Sequence, residues 1–87
     1  MSTYLAHINV MLRPLVNDPQ GLAVRDGLHA LGFDHVGSVR VGKRIEVTLE
    51  AASRTSAEEQ VAQMCDRLLA NAVIEDYEFT VSETARA

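Results

Sequence analysis

The side chains best suited to chemistry in this sequence are one cysteine and three histidines, namely Cys65, His7, His29 and His35. A thiolate could act as a nucleophile, and imidazoles could transfer protons or bind a metal ion. No two of these four residues stand at a short metal-ligand spacing. Cys65 lies on the apolar stripe of a predicted helix, which favours a buried core thiol. We therefore expect no metal site and no nucleophile, and histidines that are exposed or lie at an interface.

The carboxylates and glycines also lack a catalytic pattern. Glu58 and Glu59 stand near the start of a predicted helix, where the helix dipole favours negative charge. Gly37 and Gly42 are isolated, so the sequence has no glycine-rich phosphate loop. A small enzyme that uses His7 on an open sheet face remains one alternative.

Two segments carry more charge and proline than a simple connector requires. Residues 13–21 combine a basic residue with two prolines and apolar side chains. Residues 39–44 hold three of the eight basic residues in an acidic chain: Arg40, Lys43 and Arg44. The first segment is either a stiff connector or a binding loop. The second is either a solvated turn or a contact for an acidic partner.

Length and charge narrow the class of protein. The 87 residues suffice for a single domain, 1–87, with an ordered core expected at about 4–81. A net charge of −4 argues against nucleic acid and anionic membranes as partners, and no apolar run approaches the ~20 residues of a membrane span. One free cysteine without a disulfide partner is typical of a cytoplasmic protein. A domain this small is marginally stable alone, so we expect a homodimer or a dimer of dimers.

Hydrophobic periodicity predicts six alternating elements. In chain order they are a strand at about 4–12, a helix opened by Asp18 and Pro19 and stopped by Gly32, strands at about 36–41 and 44–50, a helix at about 56–70 and a strand at about 74–81. Matching the apolar faces of the two middle strands predicts a three-residue connection at 42–44 or a bulge. Ser56 and Glu59 have the spacing of a capping box. Residues from Ser82 onward are expected to fray.

The order βαββαβ predicts an α+β fold, a ferredoxin-like two-layer sandwich with a four-stranded sheet and two helices on one face. The uncovered face of that sheet would carry mostly polar side chains: His7, Asn9, Met11, Glu46, Thr48, Glu78 and Thr80. Because no aromatic side chain is expected there, this face lacks the stacking groups of an RNA-binding sheet. The open face and the sheet edges are the expected places for a protein partner.

Three motifs follow one another over residues 6–81. They are Asp18-Pro19-Gln20-Gly21 at the start of a helix; Leu31-Gly32-Phe33 with Val36, Val39-Arg40, Gly42-Lys43 and Glu46; and Met64-Cys65 with Leu68-Leu69-Ala70-Asn71, Val73-Ile74-Glu75 and Tyr77. In this order and in a chain of this length, they resemble the PurS family, the small subunit of phosphoribosylformylglycinamidine synthase. Two positions depart from the family pattern, because proline is common where Ala72 stands and lysine is usual where Arg13 stands.

The resemblance implies a non-catalytic subunit of an ATP-dependent carbon–nitrogen ligase that uses glutamine as amide donor in de novo purine (IMP) biosynthesis. It implies a dimer that bridges the large synthetase subunit and the glutaminase subunit and supports ammonia transfer between them. ATP and Mg would then be held by the large subunit, with no catalytic residue, metal or cofactor on this chain. The resemblance places the partner contacts on Arg13, Asp18, Gln20, Gly21, Arg40, Gly42 and Lys43. The alternative is an ACT-like domain that senses a small molecule, which shares the βαββαβ order.

Overall fold

The computed structural model of the chain describes residues 1–14 and 16–84. Within these residues it has three strands and two α-helices: β1 Ser2–Leu12, α1 Pro19–Ala30, β2 Gly42–Ala51, α2 Arg54–Met64 and β3 Glu75–Thr84. A π-helical turn, Cys65–Leu69, continues α2. The predicted α+β class is therefore confirmed.

The sheet is built on β1, which lies between β2 and β3 and is antiparallel to both. Alternate side chains of β1 point to opposite faces, as the period of two requires. Tyr4, Ala6, Ile8 and Val10 face the core and are at most 5% exposed. α2 packs over this face, with Val61 fully buried.

The predicted fourth strand at 36–41 is wrong, because the structure has no strand there. The predicted connection at 42–44 is wrong as well, since Gly42 and Lys43 already pair with Met11 and Val10 within the sheet. The backbone N–H of Val41 donates a hydrogen bond to the side chain of Asp18 and not to a neighbouring strand. A side-chain acceptor of this kind competes with the sheet ladder. The sheet of the described residues has three strands instead of the predicted four.

Helix α1 does not cover the sheet, so the prediction of two helices packed on one face holds only for α2. Of the twelve residues of α1, all of them described, only Gly21 is buried. The molecule measures 52 × 28 × 15 Å, with a radius of gyration of 16.8 Å. A compact chain of this length would have a radius of gyration of about 12 Å. The elongated shape agrees with the position of α1 outside the core.

Local capping groups set the ends of the helices. Asp18 caps α1, Pro19 is its first residue and Gly32 adopts φ 96° just beyond its end, as predicted. Ser53, and not Ser56, caps α2: its Oγ accepts a hydrogen bond from the Ser56 N–H at 3.1 Å. At the end of the chain, β3 continues to Thr84, so the expected fraying of 82–84 is wrong, and 85–87 lie outside the described residues.

Cys65 is fully buried, as predicted from its position on the apolar stripe. Burial, together with the charge of Asp66, raises the pKa of the Cys65 thiol. The Ala70 N–H donates to the Cys65 carbonyl at 3.0 Å, a spacing of five residues that gives the wide π turn. Among the described residues, no helix is long and apolar enough to cross a membrane.

Candidate partner-binding site

The seven residues predicted to contact partners lie around one end of the sheet. Arg13 follows the end of β1, Arg40 precedes β2, and the others stand in the first residues of β2 or at the start of α1. Gln20, Gly42 and Lys43 line a hollow of about 210 Å³ there, together with Val10, Leu12, Val41 and Glu75. The resemblance therefore marks a contiguous region, although its members do different things.

Asp18 is committed to internal contacts. One carboxylate oxygen accepts a hydrogen bond from the Gly21 N–H at 2.9 Å, and the other accepts from the Val41 N–H at 3.0 Å. The Arg40 guanidinium lies 3.9 Å from the second oxygen. These two backbone bonds, with a smaller contribution from Arg40, hold the pKa of Asp18 below its usual range. We call this set of residues, Asp18, Gly21, Arg40 and Val41, the Asp18 clasp.

Arg40 also faces inward. Besides its ion pair with Asp18, its guanidinium donates a hydrogen bond to the carbonyl of Leu12 at the end of β1. Its side chain is 33% exposed. Arg40 therefore joins the end of β1 to the segment before β2, and most of its donor capacity faces the protein.

Gly21 and Gly42 stand where the backbone is crowded. A Cβ on Gly42 would lie 2.4 Å from the Val10 carbonyl oxygen and 2.0 Å from the Met11 sulfur. A Cβ on Gly21 would meet the Val39 carbonyl oxygen. Both glycines thus permit close packing of the chain.

Arg13 holds the connection between α2 and β3 against the end of β1. Its guanidinium donates to the Ala72 carbonyl at 2.8 Å and lies 3.6 Å from Asp76. Its backbone N–H donates to the Ile74 carbonyl at 2.8 Å. The side chain is still 48% exposed, so part of the guanidinium faces solvent.

Gln20 and Lys43 are the members of the set that point away from the protein. Both are exposed, and within residues 1–14 and 16–84 neither side chain forms a hydrogen bond or an ion pair. Lys43 therefore offers a free positive charge at the rim of the hollow. A negatively charged partner surface is its natural complement.

A larger hollow, of about 510 Å³, lies on the open face of the sheet and is lined by His7, Asn9, Arg44, Glu78, Phe79, Thr80 and Ser82. The polar character of this face was predicted correctly. Here His7 Nδ1 lies 3.2 Å from Glu46, and Arg44 contacts both side chains. Sequence reasoning left Arg44 off this face because it counted the residue in the connection at 42–44 as well as in the strand at 44–50. The alternation of Arg44, Glu46 and Thr48 indicates that Arg44 belongs to the strand.

Exposed apolar side chains on and just after α1 were also missed. Leu22 is 44%, Val24 45%, Leu31 75% and Phe33 57% exposed. The prediction of two helices on one face of the sheet implied that the apolar side chains of this helix would be covered by the sheet. Nothing in a helical repeat says whether its partner belongs to the same chain.

A groove runs beside α2, between this helix, the π turn that follows it and β2. It has a volume of about 420 Å³ and is lined by Val47, Gln60, Gln63, Met64, Arg67, Leu68 and Leu69. Leu68 is 83% exposed. The chain thus has an uncovered groove beside α2. It also has exposed apolar side chains on α1, a helix that does not pack into this groove.

No group of three or more histidine, cysteine, aspartate or glutamate side chains in the described part of the chain is arranged to hold a metal ion.

Comparison with known proteins gives one consistent family. The sequence model described as "PurS: Phosphoribosylformylglycinamidine (FGAM) synthase" matches residues 5–83. The phosphoribosylformylglycinamidine synthase subunit PurS of Synechocystis is 52% identical over 80 residues, which cover 92% of this chain and 80% of that protein. The subunit of the same name from Bacillus subtilis is 44% identical over 80 residues, which cover 92% of this chain and 94% of that protein.

Solved structures agree with the sequence comparison. The structure of Bacillus subtilis PurS has a TM-score of 0.83 at 44% identity, covering 92% of this chain and 99% of that one. A chain in the structure of PurLQS from Thermotoga maritima also has a TM-score of 0.83, at 34% identity, and covers 97% of this chain and 100% of its own length.

Proposed function

The chain belongs to the PurS family and is a PurS subunit of the FGAM synthase complex of purine biosynthesis, and on this premise we propose that it bridges the glutaminase and ATP-dependent synthetase subunits. The complex is a glutamine-dependent ligase, in which this chain is a non-catalytic subunit. Ammonia released at one active site must reach another before it escapes into water. Holding the two sites together raises the effective concentration of ammonia at the second site. ATP and Mg²⁺ act on the large subunit in this proposal, and this chain carries no cofactor.

The observation that carries the proposal is the position of α1. This helix stands off the sheet, and four large apolar side chains, two on α1 and two just after it, are at least 44% exposed in a chain of 87 residues. Exposed apolar groups of this size mark interaction sites more than isolated surface leucines do. The shape is that of a subunit whose surfaces are completed by other chains.

We assign the apolar side of α1, which is the side of Val24 and continues into Leu31 just after the helix, to a second copy of this chain. The groove beside α2 is lined by apolar side chains, Val47, Met64, Leu68 and Leu69, with Gln60, Gln63 and Arg67 among them. In a two-fold dimer each copy supplies the same patch, so α1 of one copy covers the groove of the other and the reverse. Homodimer formation removes both apolar surfaces from water at once.

The other partners are assigned to the end of the sheet around Lys43. Gln20, Lys43 and the free part of Arg13 form the contacts with the larger subunits, while Asp18, Gly21, Arg40 and Gly42 shape the surface from within. The bridging role thus uses two surfaces of different chemistry, one apolar and one basic. A cytoplasmic location belongs to the same proposal and rests on the single free cysteine.

The ACT-like alternative is not favoured, because the family match and the solved structures all point to PurS. Catalysis by His7 has no support in the family assignment either.

Reconstitution of the complex tests the bridging role. Synthetase and glutaminase subunits from the same organism are assayed for FGAM formation with and without this chain, using either glutamine or ammonium chloride as nitrogen donor. We expect omission of the chain to abolish the glutamine-dependent rate and to leave the ammonia-dependent rate within about twofold. An unchanged glutamine-dependent rate without the chain would overturn the proposal.

A further inference from the structure

The direction in which α1 leaves the sheet is fixed by few contacts. Its only buried residue is Gly21, in the first turn. At its other end, His29 Nε2 lies 2.8 Å from the Val36 carbonyl, which belongs to the same connecting segment and not to the sheet. The contacts that relate α1 to the sheet are therefore concentrated in its first turn.

The Asp18 clasp supplies these contacts. Through one oxygen Asp18 caps α1, and through the other it binds Val41, the residue just before β2 and 23 positions further along the chain. Arg40 extends the connection to the Leu12 carbonyl at the end of β1. One carboxylate thus joins the start of the helix to the ends of two strands.

The second helix shows that capping alone does not require this arrangement. Ser53 caps α2 with a single oxygen, which accepts a hydrogen bond from the Ser56 N–H. Asp18 has two acceptor oxygens, and one of them is used entirely outside the helix. The additional oxygen is the feature that connects α1 to the sheet.

We propose that Asp18 is a positioning residue for assembly, which sets the angle between α1 and the sheet through Val41 and Arg40 and so presents the apolar side of α1 to a second copy in one orientation. The inference rests on the proposed homodimer and assigns Asp18 and Arg40 a role other than contact with a partner. A helix that leaves the sheet at a variable angle reaches the groove of a second copy only in a fraction of molecules. The apparent affinity of the dimer is then the intrinsic affinity multiplied by that fraction.

Asp18→Asn separates positioning from capping. The amide oxygen still accepts from the Gly21 N–H, so α1 keeps its cap. The amide nitrogen accepts no hydrogen bond from Val41 and repels Arg40, so the connection to the sheet is lost. Ser53→Ala is the matched control, because it removes a helix cap without touching any contact between segments.

Two measurements are made on wild type, Asp18→Asn and Ser53→Ala. Sedimentation equilibrium gives the dimer dissociation constant, and residual dipolar couplings give the angle between α1 and the sheet. We expect Asp18→Asn to weaken the dimer at least tenfold and to average the couplings of α1, whereas Ser53→Ala changes the dimer by less than threefold. In a double-mutant cycle, Asp18→Asn and Arg40→Gln together should weaken the dimer by less than the product of their separate fold-changes in the dissociation constant.

The outcomes separate the two proposals. If Asp18→Asn dimerises like wild type, or if Ser53→Ala weakens the dimer equally, the positioning role is wrong while the dimer stands. If wild type is a monomer at all concentrations, the dimer is wrong, and the couplings alone decide whether Asp18 sets the angle. Identical α1 couplings in wild type and Asp18→Asn would overturn the inference in either case.

Discussion

The backbone at Gly21 passes so close to Val39 that a Cβ on residue 21 would lie 2.2 Å from the Val39 carbonyl oxygen and 2.8 Å from Asp18 Oδ2. Gly21→Ala must therefore displace the 39–41 segment or break the clasp, and we expect it to lower the free energy of unfolding by about 1–3 kcal/mol. Gly27→Ala in the same helix is the control, because no atom lies within 4 Å of its Cβ position. Alanine is the better helix former, so this change should stabilise by up to about 1 kcal/mol. Urea unfolding measures both, and equal effects would contradict the close approach.

Local and long-range features of this fold differ in how well they could be predicted. The start of α1 could be read from Asp18 and Pro19, and its end from Gly32, because capping depends on neighbouring residues only. β1 and β2 could be recognised by their period of two. The partner of the Val41 N–H could not be foreseen, since it lies 23 residues away, and the structure has no strand at the expected position 36–41.

The candidate site shows the same division. The resemblance named seven residues that the structure brings to one end of the sheet, but it did not separate inward from outward side chains. Asp18 and Arg40, which the resemblance marked as partner contacts, form hydrogen bonds with the protein's own backbone. Their contact with a partner stays a prediction. Their charges suggested exposure, whereas their orientation depends on tertiary contacts that no local pattern contains.

Lys43→Glu should weaken association with the larger subunits, mainly through slower encounter at low ionic strength. Surface plasmon resonance against the synthetase subunit over a salt series measures the association rate. Arg54→Glu makes the same charge change just beyond the other end of β2, about 30 Å away at 3.3 Å per residue. If both variants lose association rate equally, or if neither does, the basic contact is not at Lys43.

Leu31→Glu should disrupt the homodimer while the sheet remains folded. Leu31 is 75% exposed in the isolated chain, so a carboxylate there costs little until a second copy covers it. Ala30→Glu is the control at the neighbouring exposed position. Light scattering after gel filtration should give half the wild-type mass for Leu31→Glu only, with circular dichroism unchanged in both variants. A dimer that survives Leu31→Glu would place the interface elsewhere.

The Cys65 thiol should react slowly with disulfide reagents in the native protein. It is fully buried, and burial raises the thiol pKa above 9.0, so little thiolate is present at neutral pH. Labelling with a chromogenic disulfide at pH 8 should be at least 100-fold slower in buffer than in 6 M guanidinium. Because the raised pKa favours the protonated form in the folded state, its contribution to stability is complete at neutral pH and declines as the pH rises beyond 9. Equal labelling rates in the two solvents would contradict the burial.

The contribution of Asp18 should show the opposite dependence on pH. Its pKa in the folded protein is lower than the 3.8 of a free aspartate, chiefly because the Gly21 and Val41 N–H groups donate to its carboxylate. A lowered pKa means that the charged form is favoured by folding, so the stabilisation is complete well above 3.8 and is lost as the pH falls through the folded pKa. Wild type and Asp18→Asn share every other titrating group, so the difference between their free energies of unfolding isolates this one. We expect the difference, measured by urea unfolding, to be constant from pH 7 to about pH 5 and to shrink below pH 3.8. A difference that stays constant down to pH 2.5 would mean that the bond to Val41 does not depend on the carboxylate charge.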